Sequence, residues 1–329
     1  MSMNKVRWGL LSTANINRHL IPAIRGSRRG ELVAVASRSP EYAQAYADHW
    51  EIPKAFGDYD SMLTSGLVDA IYISLPNHLH AEWSIRAMQA GVHVLCEKPL
   101  AISIDEVDAM QHASQQYGMR LAEAFMYRHH PQTRIIADWV RSGRLGDVCS
   151  LYVAFTLILG NRQNIRFVPE YGGGSLWDLG VYPVSFAQYI MGETPDWVVG
   201  AQWLGDTGID ETFSGLMHYS ANRFAQFTCG FRSPWQSYAE ITGTQGRLSI
   251  TRPFVGMDEG RQLIYYSDGN DPIEVPVPEQ QLYSGEVEDM NNAILEGSTN
   301  YLTLAESLNH IRTTLALYQS ARQQRLETL

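Results

Sequence analysis

The sequence has few of the residues that cross-link small folds. Its three cysteines, Cys96, Cys149 and Cys229, are odd in number and lie far apart along the chain. That spacing argues against a disulfide framework or a zinc cluster, and it favours free thiols in a reducing cytoplasm, where we expect the protein. We expect no metal site, because the histidine groups His78/His80 and His129/His130 lack carboxylate or cysteine partners at metal-ligand spacing.

The chain also lacks long apolar runs and an excess of positive charge. No stretch approaches the roughly 20 apolar residues that span a bilayer, and a strand pattern begins too early to leave room for a signal peptide. The formal net charge is −10, which argues against nucleic acid because phosphates call for a basic face. We therefore expect neither a membrane nor a nucleic acid as partner.

The 329 residues are enough for two domains, and the pattern changes near residue 126. Before that point, strand-like runs alternate with helical patterns, which predicts βαβ units and a parallel sheet. Beyond it, a helix is followed by long strand-like runs and a helical tail. This second part predicts a largely antiparallel sheet, with Gly243-Thr244-Gln245-Gly246 as the turn of a hairpin.

The first strand-to-helix turn lacks the glycines that usually mark a dinucleotide site. In "WGLLSTANINRHL" these positions are Ser12, Ala14 and Asn17, of which Asn17 fits least well. Ser12 and Ala14 are small enough for a similar tight turn, and Ser12 and Thr13 add hydroxyls. A helix starting near Asn15 would point its N–H groups at an anion. The turn alone leaves two interpretations open, a dinucleotide site or an ordinary βα turn.

Lysine is scarce, since the chain has three lysines and 22 arginines. Lys98 lies in "VLCEKPL", at the carboxyl end of a predicted buried parallel strand, where such sheets bind ligands. An ammonium group can shift its pKa and orient a hydroxyl, which makes Lys98 a candidate catalytic residue. The alternative is a lysine that extends its charged end from a strand end into solvent.

Ser37-Arg38 follows the second predicted strand, where an NAD enzyme usually has an acidic residue. A hydroxyl followed by an arginine suits a ribose 2′-phosphate instead, through charge-assisted hydrogen bonds. This motif therefore favours NADP. The alternative is a solvated arginine at a strand end.

The segment "GGGSLWDLGVYP" combines three glycines with two candidate catalytic side chains. Ser175 can cap a helix that puts Asp178 and Tyr182 one turn apart on one face. The glycines favour a ligand site, because they let the backbone pass close to a ligand. The alternative is an ordinary capped helix whose tyrosine belongs to the core.

In their order along the chain, these motifs resemble the Gfo/Idh/MocA family of nicotinamide-dependent oxidoreductases. The similar segments are "VRWGLLSTANI", "SRS", "LPNHLHAE", "EKPLA", "EAFMYRHHP", "GGGSLWDLGVYP", "ITGTQGRL" and "VEDMNNAILEG". Many members have histidine where this chain has Tyr182. The tyrosine is similar to the branch of D-xylose dehydrogenase and trans-dihydrodiol dehydrogenase, whose members generally prefer NADP.

The resemblance implies a doubly wound Rossmann domain over 1–126 that binds the dinucleotide. It implies an α+β domain over 127–329 with an open, mostly antiparallel sheet and C-terminal helices, which serves substrate binding and assembly into a homodimer or homotetramer. It assigns Lys98, Asp178 and Tyr182 to catalysis, with Pro99 in a cis peptide.

Two sets of binding residues follow from the motifs and the resemblance. The cofactor-binding residues are predicted to be Ser12, Thr13, Ala14, Asn15, Ile16, Ser37, Arg38, Leu75, Pro76, Asn77, His80, Glu97, Lys98 and Arg166. Aromatic faces with scattered donors suit a sugar or a ring diol, and the predicted substrate-binding residues are Tyr127, Phe155, Trp177, Asp178 and Tyr182.

The expected function is reversible hydride transfer between NADP, with NAD as the alternative cofactor, and a hydroxyl-bearing carbon of a sugar or related polyol or diol. Tyr182 would exchange the hydroxyl proton, with its pKa of about 10 lowered by the Lys98 ammonium. Asp178 would orient a second substrate hydroxyl or Lys98. The alternatives are reduction of a keto-sugar or 1,5-anhydrofructose, a non-catalytic dinucleotide-sensing regulator, and a scaffold for assembly. The presence of both Lys98 and Tyr182 favours catalysis.

Overall fold

The structure is a computed structural model that describes residues 5–255 and 260–329. The chain divides into two compact units. Unit 1 comprises Met1–Met126 and Tyr283–Ser307, and unit 2 comprises Tyr127–Leu282 and Leu308–Leu329. The segment Tyr283–Ser307 therefore belongs to unit 1, whereas the sequence assigned all residues after 126 to the second domain.

Unit 1 is built on a parallel sheet flanked by helices. Its strands are β1 (Val6–Leu11), β2 (Gly30–Ala36), β3 (Lys54–Phe56), β4 (Ala70–Ile73), β5 (His93–Glu97) and β6 (Leu121–Ala124). Its helices are α1 (Asn17–Gly26), α2 (Pro40–Trp50), α3 (Tyr59–Leu63), α4 (His80–Gln89), α5 (Ile104–Tyr117) and, numbered in chain order, α8 (Ser284–Glu296).

The strand order β3-β2-β1-β4-β5-β6 confirms the predicted doubly wound Rossmann sheet. Every pair in this sheet is parallel. The order reverses between β1 and β4, and a crevice outside the carboxyl ends of the strands at such a point is where these sheets bind dinucleotides. The strand β3 was not predicted, because three residues are too few to show a period.

A buried asparagine explains why α8 belongs to unit 1. The Asn291 side chain is fully buried, accepts a hydrogen bond from Trp8 Nε1 at 2.9 Å and donates one to Ser27 Oγ at 3.1 Å. Trp8 lies on β1 and is itself fully buried. The amphipathic pattern of α8 was visible in the sequence, but the sheet it packs against depends on this long-range pairing.

Unit 2 contains a mixed sheet of nine strands. They are β7 (Val148–Ile158), β8 (Trp197–Leu204), β9 (Asp210–Tyr219), β10 (Arg223–Gly230), β11 (Arg232–Gly243), β12 (Gly246–Thr251), β13 (Ile264–Ser267), β14 (Ile273–Val275) and β15 (Glu327–Thr328). The helices are α6 (Pro131–Arg141), α7 (Val181–Met191) and α9 (Leu304–Gln323), of which α9 begins in unit 1 and continues into unit 2.

The strands of unit 2 follow the order β14-β13-β12-β11-β7-β10-β9-β8-β15. All neighbouring pairs are antiparallel except β7 with β10, which confirms the predicted, mostly antiparallel sheet. Gly243 pairs with Gly246 across the predicted hairpin turn. Among the described residues, no helix is both long enough and apolar enough to cross a bilayer.

Candidate active site

The turn after β1 has the backbone shape of a glycine turn, although serine occupies the critical position. Ser12 has φ 133°, in the region that favours glycine, and such strain costs about 1–3 kcal/mol. Its hydroxyl donates to the Ser74 carbonyl at 3.1 Å and lies 2.9 Å from Ser74 Oγ. The hydroxyl therefore holds the turn against the end of β4, and the turn offers an anion mainly its backbone.

Asn17, the position that fits the glycine pattern least well, closes this turn. Its side chain is fully buried. Asn17 Nδ2 donates to the Ser12 carbonyl at 2.8 Å, and Asn17 Oδ1 accepts from Ser74 Oγ at 2.7 Å. Asn17 thus links the turn to Ser74, the residue directly after β4.

The first helix begins in a way that suits a bound anion. α1 begins at Asn17, with no side-chain hydrogen bond at its cap and no acidic residue in its first turn. Thr13, Ala14 and Ile16 are partly exposed and Asn15 is exposed. The amides of Asn17, Arg18 and His19 donate to carbonyls of the preceding turn, and the positive end of the helix dipole fits the pyrophosphate of a dinucleotide.

Ser37 and Arg38 lie directly after β2, as predicted. Ser37 N donates to the Phe56 carbonyl at 3.0 Å, which ties this corner to β3. Arg38 is exposed. Burial raises the pKa of Tyr59, and the charge of Arg38 and a hydrogen bond from it oppose this effect. The corner therefore carries a hydroxyl and a cation and no acidic side chain, which fits a phosphate on the ribose.

The candidate catalytic Lys98 follows the last residue of β5. The Lys98–Pro99 peptide is cis, which confirms that expectation. Glu97 Oε2 accepts from Lys98 N at 3.2 Å, and Leu100 N donates to Glu123 Oε1 at 2.8 Å. Two carboxylates therefore fix the backbone on both sides of the turn that carries the lysine.

His80 holds the same turn from the other side. It is fully buried. Its Nδ1 lies 2.7 Å from the Pro99 carbonyl oxygen and its Nε2 lies 2.9 Å from the Leu75 carbonyl oxygen. Burial lowers the pKa of His80 and the two carbonyls oppose that effect. Both ring nitrogens of His80 therefore lie against backbone carbonyls of the protein, and its contact with the cofactor stays a prediction. Leu75 is buried, whereas Pro76 and Asn77 are partly exposed after β4.

A buried acid, Glu286, lies near Glu97, and the sequence analysis did not single it out. Tyr72 OH donates to Glu97 Oε1. Glu286, on α8, is almost completely buried, and neither of its carboxyl oxygens has a hydrogen-bond partner within the described part of the chain. Burial, followed by the charges of Glu97 and Asp289, raises the pKa of Glu286 well above its ordinary value. No local motif marks this residue, since its surroundings come from distant strands.

In unit 2, the predicted catalytic Asp178 is paired with Arg166. Arg166 Nε lies 2.6 Å from Asp178 Oδ2. The side chain of Asp178 is 14% exposed and that of Arg166 is 42% exposed. Arg166, predicted as a cofactor ligand, thus fixes one oxygen of Asp178 in the structure, which the spacing of the two residues in sequence did not indicate.

Asp178 and Tyr182 lie on consecutive helical segments of different type. Leu176–Gly180 forms a π-helical turn, and α7 begins directly after it at Val181. Ser175 does not cap this turn with its side chain, so the expected capping role of Ser175 is wrong. Its hydroxyl donates instead to Asp210 Oδ2 at 2.7 Å, on β9. π-Helical turns of this kind occur frequently at functional sites.

Tyr182 lies among aromatic side chains of unit 2. Its ring centroid is 5.3 Å from that of Phe254, 5.5 Å from that of Phe155 and 6.0 Å from that of Tyr127. Tyr182 and Phe155 are each 6% exposed. The apolar surroundings fix the direction of the Tyr182 ring.

Two of the predicted substrate residues are used in packing. Tyr127 is fully buried and its hydroxyl donates to Ser185 Oγ at 2.8 Å. Trp177 is buried against Tyr318, with centroids 5.7 Å apart. Their contacts with a substrate, expected from aromatic composition and the resemblance, stay predictions.

The predicted catalytic residues are divided between the units, with Lys98 in unit 1 and Asp178 and Tyr182 in unit 2. Within residues 5–255 and 260–329, no three histidine, cysteine or acidic side chains are grouped so that they could hold a metal ion. The strand order of unit 1, the turn between β1 and α1 and the lysine after β5 are typical of a dinucleotide-binding oxidoreductase, which is the class of protein that this fold indicates.

Comparisons with known proteins identify the family. Residues 6–125 match the model of an oxidoreductase family with an NAD-binding Rossmann fold, and residues 133–249 match the Gfo/Idh/MocA C-terminal domain. The chain belongs to the Gfo/Idh/MocA family of NAD(P)-dependent oxidoreductases, which confirms the resemblance seen in its motifs.

Two curated relatives are similar over much of the chain. A D-xylose 1-dehydrogenase (NADP⁺) of Haloferax volcanii is 39% identical over 318 residues, which are 95% of this chain and 97% of the relative. A trans-1,2-dihydrobenzene-1,2-diol dehydrogenase of Xenopus laevis is 32% identical over 248 residues, 74% of each chain.

A solved structure is similar across nearly the whole chain. It is a 3-ketoreductase from Actinomadura kijaniata in complex with NADP and TDP-benzene, 28% identical, with a TM-score of 0.91 and coverage of 96% of this chain and 98% of that one. Structures of the same reductase with a lysine replaced by alanine and with a tyrosine replaced by phenylalanine are similar as well.

Replacement of Glu286 tests the raised pKa of this buried acid. Because its pKa is raised in the folded protein, it keeps a proton that the unfolded chain releases above about pH 4.5, so its contribution to stability falls as pH rises from there through the raised pKa. Glu286→Gln, which cannot ionise, should be more stable than the wild type at pH 8 and nearly equal at pH 4.5. The difference in the free energy of unfolding between the variant and the wild type should grow by about 1.4 kcal/mol for each pH unit above 4.5, up to the raised pKa.

Urea unfolding at pH 4.5, 6 and 8 measures this difference. Glu288→Gln, a partly exposed glutamate on the same helix, is the matched control. A Glu286→Gln advantage that does not grow with pH would contradict the assignment.

Proposed function

We propose that the protein is an NADP-dependent oxidoreductase that interconverts a hydroxyl and a carbonyl group on a sugar or a related polyol or diol. The observation that carries this proposal is the position of Lys98, which lies on a cis-proline turn fixed by two carboxylates at the carboxyl end of a Rossmann strand. NADP supplies the acceptor and donor of the hydride at C4 of its nicotinamide.

The residues assigned to the cofactor follow from the ends of β1, β2, β4 and β5. The turn Ser12–Ile16 and the start of α1 hold the pyrophosphate through backbone N–H groups. Ser37 and Arg38 hold the 2′-phosphate. Pro76, Asn77, Glu97 and Lys98 hold the nicotinamide end, with Leu75 and His80 supporting the backbone behind them.

Tyr182 takes the substrate hydroxyl proton on oxidation and returns it on reduction. Lys98 favours the phenolate and orients the hydroxyl, since a neighbouring cation lowers the pKa of an acid. Asp178, whose Oδ2 is paired with Arg166, orients a second substrate hydroxyl. The lysine and tyrosine replaced in the Actinomadura reductase are separated by the same number of residues as Lys98 and Tyr182.

The substrate class is supported by the relatives. D-Xylose, in the name of the Haloferax protein, and the cyclic diol, in the name of the Xenopus protein, both have two neighbouring carbons that each bear a hydroxyl. The partly exposed Arg166–Asp178 pair offers donors and an acceptor to such neighbouring hydroxyls. A second candidate is reduction of a keto-sugar, which the similarity to the 3-ketoreductase structure favours.

We also propose that the chain forms a homodimer or homotetramer through the sheet of unit 2, in the cytoplasm. Val199, Trp203, Tyr152 and Phe224 are exposed, and the strand registers place them on one face of the sheet. Neighbouring exposed apolar side chains of this size are typical of an interface between proteins. The free cysteines support a reducing compartment.

Replacement of Lys98 tests the catalytic assignment. Lys98→Met should lower kcat by about 10²–10⁴-fold, the range for losing a positioned proton-transfer system, while the fold and NADPH binding persist. The assay is NADP reduction with aldoses, inositols and cyclic diols, together with NADPH quenching of tryptophan fluorescence. Lys54→Met, an exposed lysine on β3, is the matched control. Turnover of Lys98→Met near the wild-type value would refute the assignment.

Replacement of Arg38 tests the cofactor assignment. Arg38→Ala should raise KM for NADP by about 10–100-fold, the equivalent of one or two charge-assisted hydrogen bonds, and leave KM for NAD nearly unchanged. Arg28→Ala, an exposed arginine of unit 1, is the control. A wild-type preference for NAD, or an equal effect on both cofactors, would contradict the assignment.

Sedimentation velocity tests the assembly. The wild type should sediment at two or four times the chain mass of 37.0 kDa, and Phe224→Glu should shift it toward the monomer because a charge would be buried in the interface. Tyr42→Glu, at an exposed position on α2, should leave the assembly unchanged. A wild type that sediments as a monomer at micromolar concentration would overturn the proposal.

A further inference from the structure

We propose that Asp210 is a positioning residue that holds the helical segment carrying Asp178 and Tyr182 in its catalytic direction. Asp210 is the first residue of β9, and the sequence motifs did not single it out. The part of the proposal that concerns turnover rests on the proposed function, whereas the anchoring of the segment does not.

The Asp210 carboxylate joins three elements of unit 2. Oδ2 accepts from Ser175 Oγ and from Leu176 N, each at 2.7 Å. Oδ1 accepts from Tyr318 OH, on α9, also at 2.7 Å. The side chain is 2% exposed, so these bonds form away from water, where charge-assisted hydrogen bonds are strong.

Asp210 replaces the helix cap that local sequence would have supplied. Leu176 N is at the start of the π-helical turn, and Ser175 does not cap it. A carboxylate from a neighbouring strand accepts this N–H instead, and it also lies at the positive end of the helical segment, which stabilises an anion. The start of the segment is therefore fixed to the sheet.

The backbone before the segment is shaped around this carboxylate. Gly174 has φ 124°, and a Cβ there would lie 2.2 Å from Asp210 Oδ1 and 2.8 Å from Tyr318 OH. The last glycine of the triplet is therefore required by the approach of Asp210. Packing within the protein therefore explains the glycine at position 174, whereas the sequence suggested that it lets the backbone pass close to a ligand.

The anchor also fixes the direction of Asp178. Tyr318, which donates to Asp210, packs against Trp177, the residue between the anchored Leu176 and Asp178. Asp178 N in turn donates to the Gly174 carbonyl at 3.1 Å. Tyr182 follows four residues later on α7. Releasing the anchor should therefore move both candidate catalytic side chains, and a misplacement of about 1 Å can cost 10²-fold in rate.

Four variants separate anchoring from general stability. Asp210→Ala removes all three acceptor contacts. Asp210→Asn keeps an oxygen for Ser175 and Leu176 N and offers its amide to Tyr318. Ser175→Ala and Tyr318→Phe each remove one donor and keep the proposal testable if Asp210→Ala does not fold. Tyr219→Phe is the matched control for Tyr318→Phe, since it removes another buried tyrosine hydroxyl, from the same strand as Asp210.

The first measurement is hydrogen exchange, which needs no substrate. Asp210→Ala should speed exchange of the amides of residues 176–181 by about tenfold or more, the equivalent of losing roughly 1.4 kcal/mol of local protection, and Asp210→Asn should restore most of the protection. Unchanged exchange over 176–181 in Asp210→Ala would refute the anchor, whatever the enzyme's substrate.

The second measurement is turnover per NADPH-binding site, which corrects for any unfolded protein. Asp210→Ala should lose about 10–100-fold in kcat with the Kd for NADPH unchanged, Asp210→Asn should recover to within about threefold of the wild type, and Tyr219→Phe should match the wild type. Asp210→Ala turnover within twofold of the wild type would overturn the positioning role. A wild type that turns over no sugar, polyol or diol would instead refute the proposed function, and the exchange result would still stand.

Discussion

The position of the candidate catalytic lysine depends on a buried histidine whose two ring nitrogens lie within hydrogen-bonding distance of two carbonyl groups. His80 links the Pro99 carbonyl, in the turn after β5, to the Leu75 carbonyl, in the segment after β4. Because both strands are central in the parallel sheet, this link fixes the two strand ends against each other. Glu123, from β6, then fixes Leu100 on the far side of the turn. The position of Lys98 thus depends on two buried side chains, His80 and Glu123.

Unit 2 uses the same kind of support with a different residue. There the Asp210 carboxylate holds the start of the segment that bears Asp178 and Tyr182, and Arg166 fixes Asp178 from the exposed side. In both units a buried side chain from a neighbouring element binds backbone groups next to a candidate catalytic residue. Such support preorganises a site, because the supporting groups are desolvated when the protein folds and need not be reorganised during the reaction.

Much of the fold could be predicted from the sequence, because local patterns depend on residues that are close along the chain. The alternation of strands and helices, the hairpin at Gly243–Gly246 and the Lys98-Pro99 motif were all visible in short segments. Strands of two or three residues, such as β3 and β15, were not, because they are too short to show a period.

The long-range hydrogen-bond partners could not be predicted from the sequence, for a physical reason. The sequence suggested that Asn17 was a defect in the turn, whereas in the structure its Oδ1 accepts a hydrogen bond from Ser74 Oγ. The sequence suggested that Ser175 was a helix cap, whereas its hydroxyl donates to Asp210. A polar side chain has several local partners of similar energy, and tertiary packing decides among them. The same limit applies to α8, whose packing in unit 1 depends on the Trp8–Asn291 hydrogen bond.

Isotope transfer tests the central claim, hydride transfer between NADP and a hydroxyl-bearing carbon, most directly. The enzyme is incubated with NADP and with aldoses, inositols or cyclic diols deuterated at their hydroxyl-bearing carbons, and the NADPH formed is analysed by mass spectrometry and NMR. The account predicts one deuterium at C4 of the nicotinamide and its loss in Lys98→Met. It would be contradicted if NADPH bound to the protein but no deuterium moved from aldoses, inositols or cyclic diols, and if no keto-sugar oxidised NADPH.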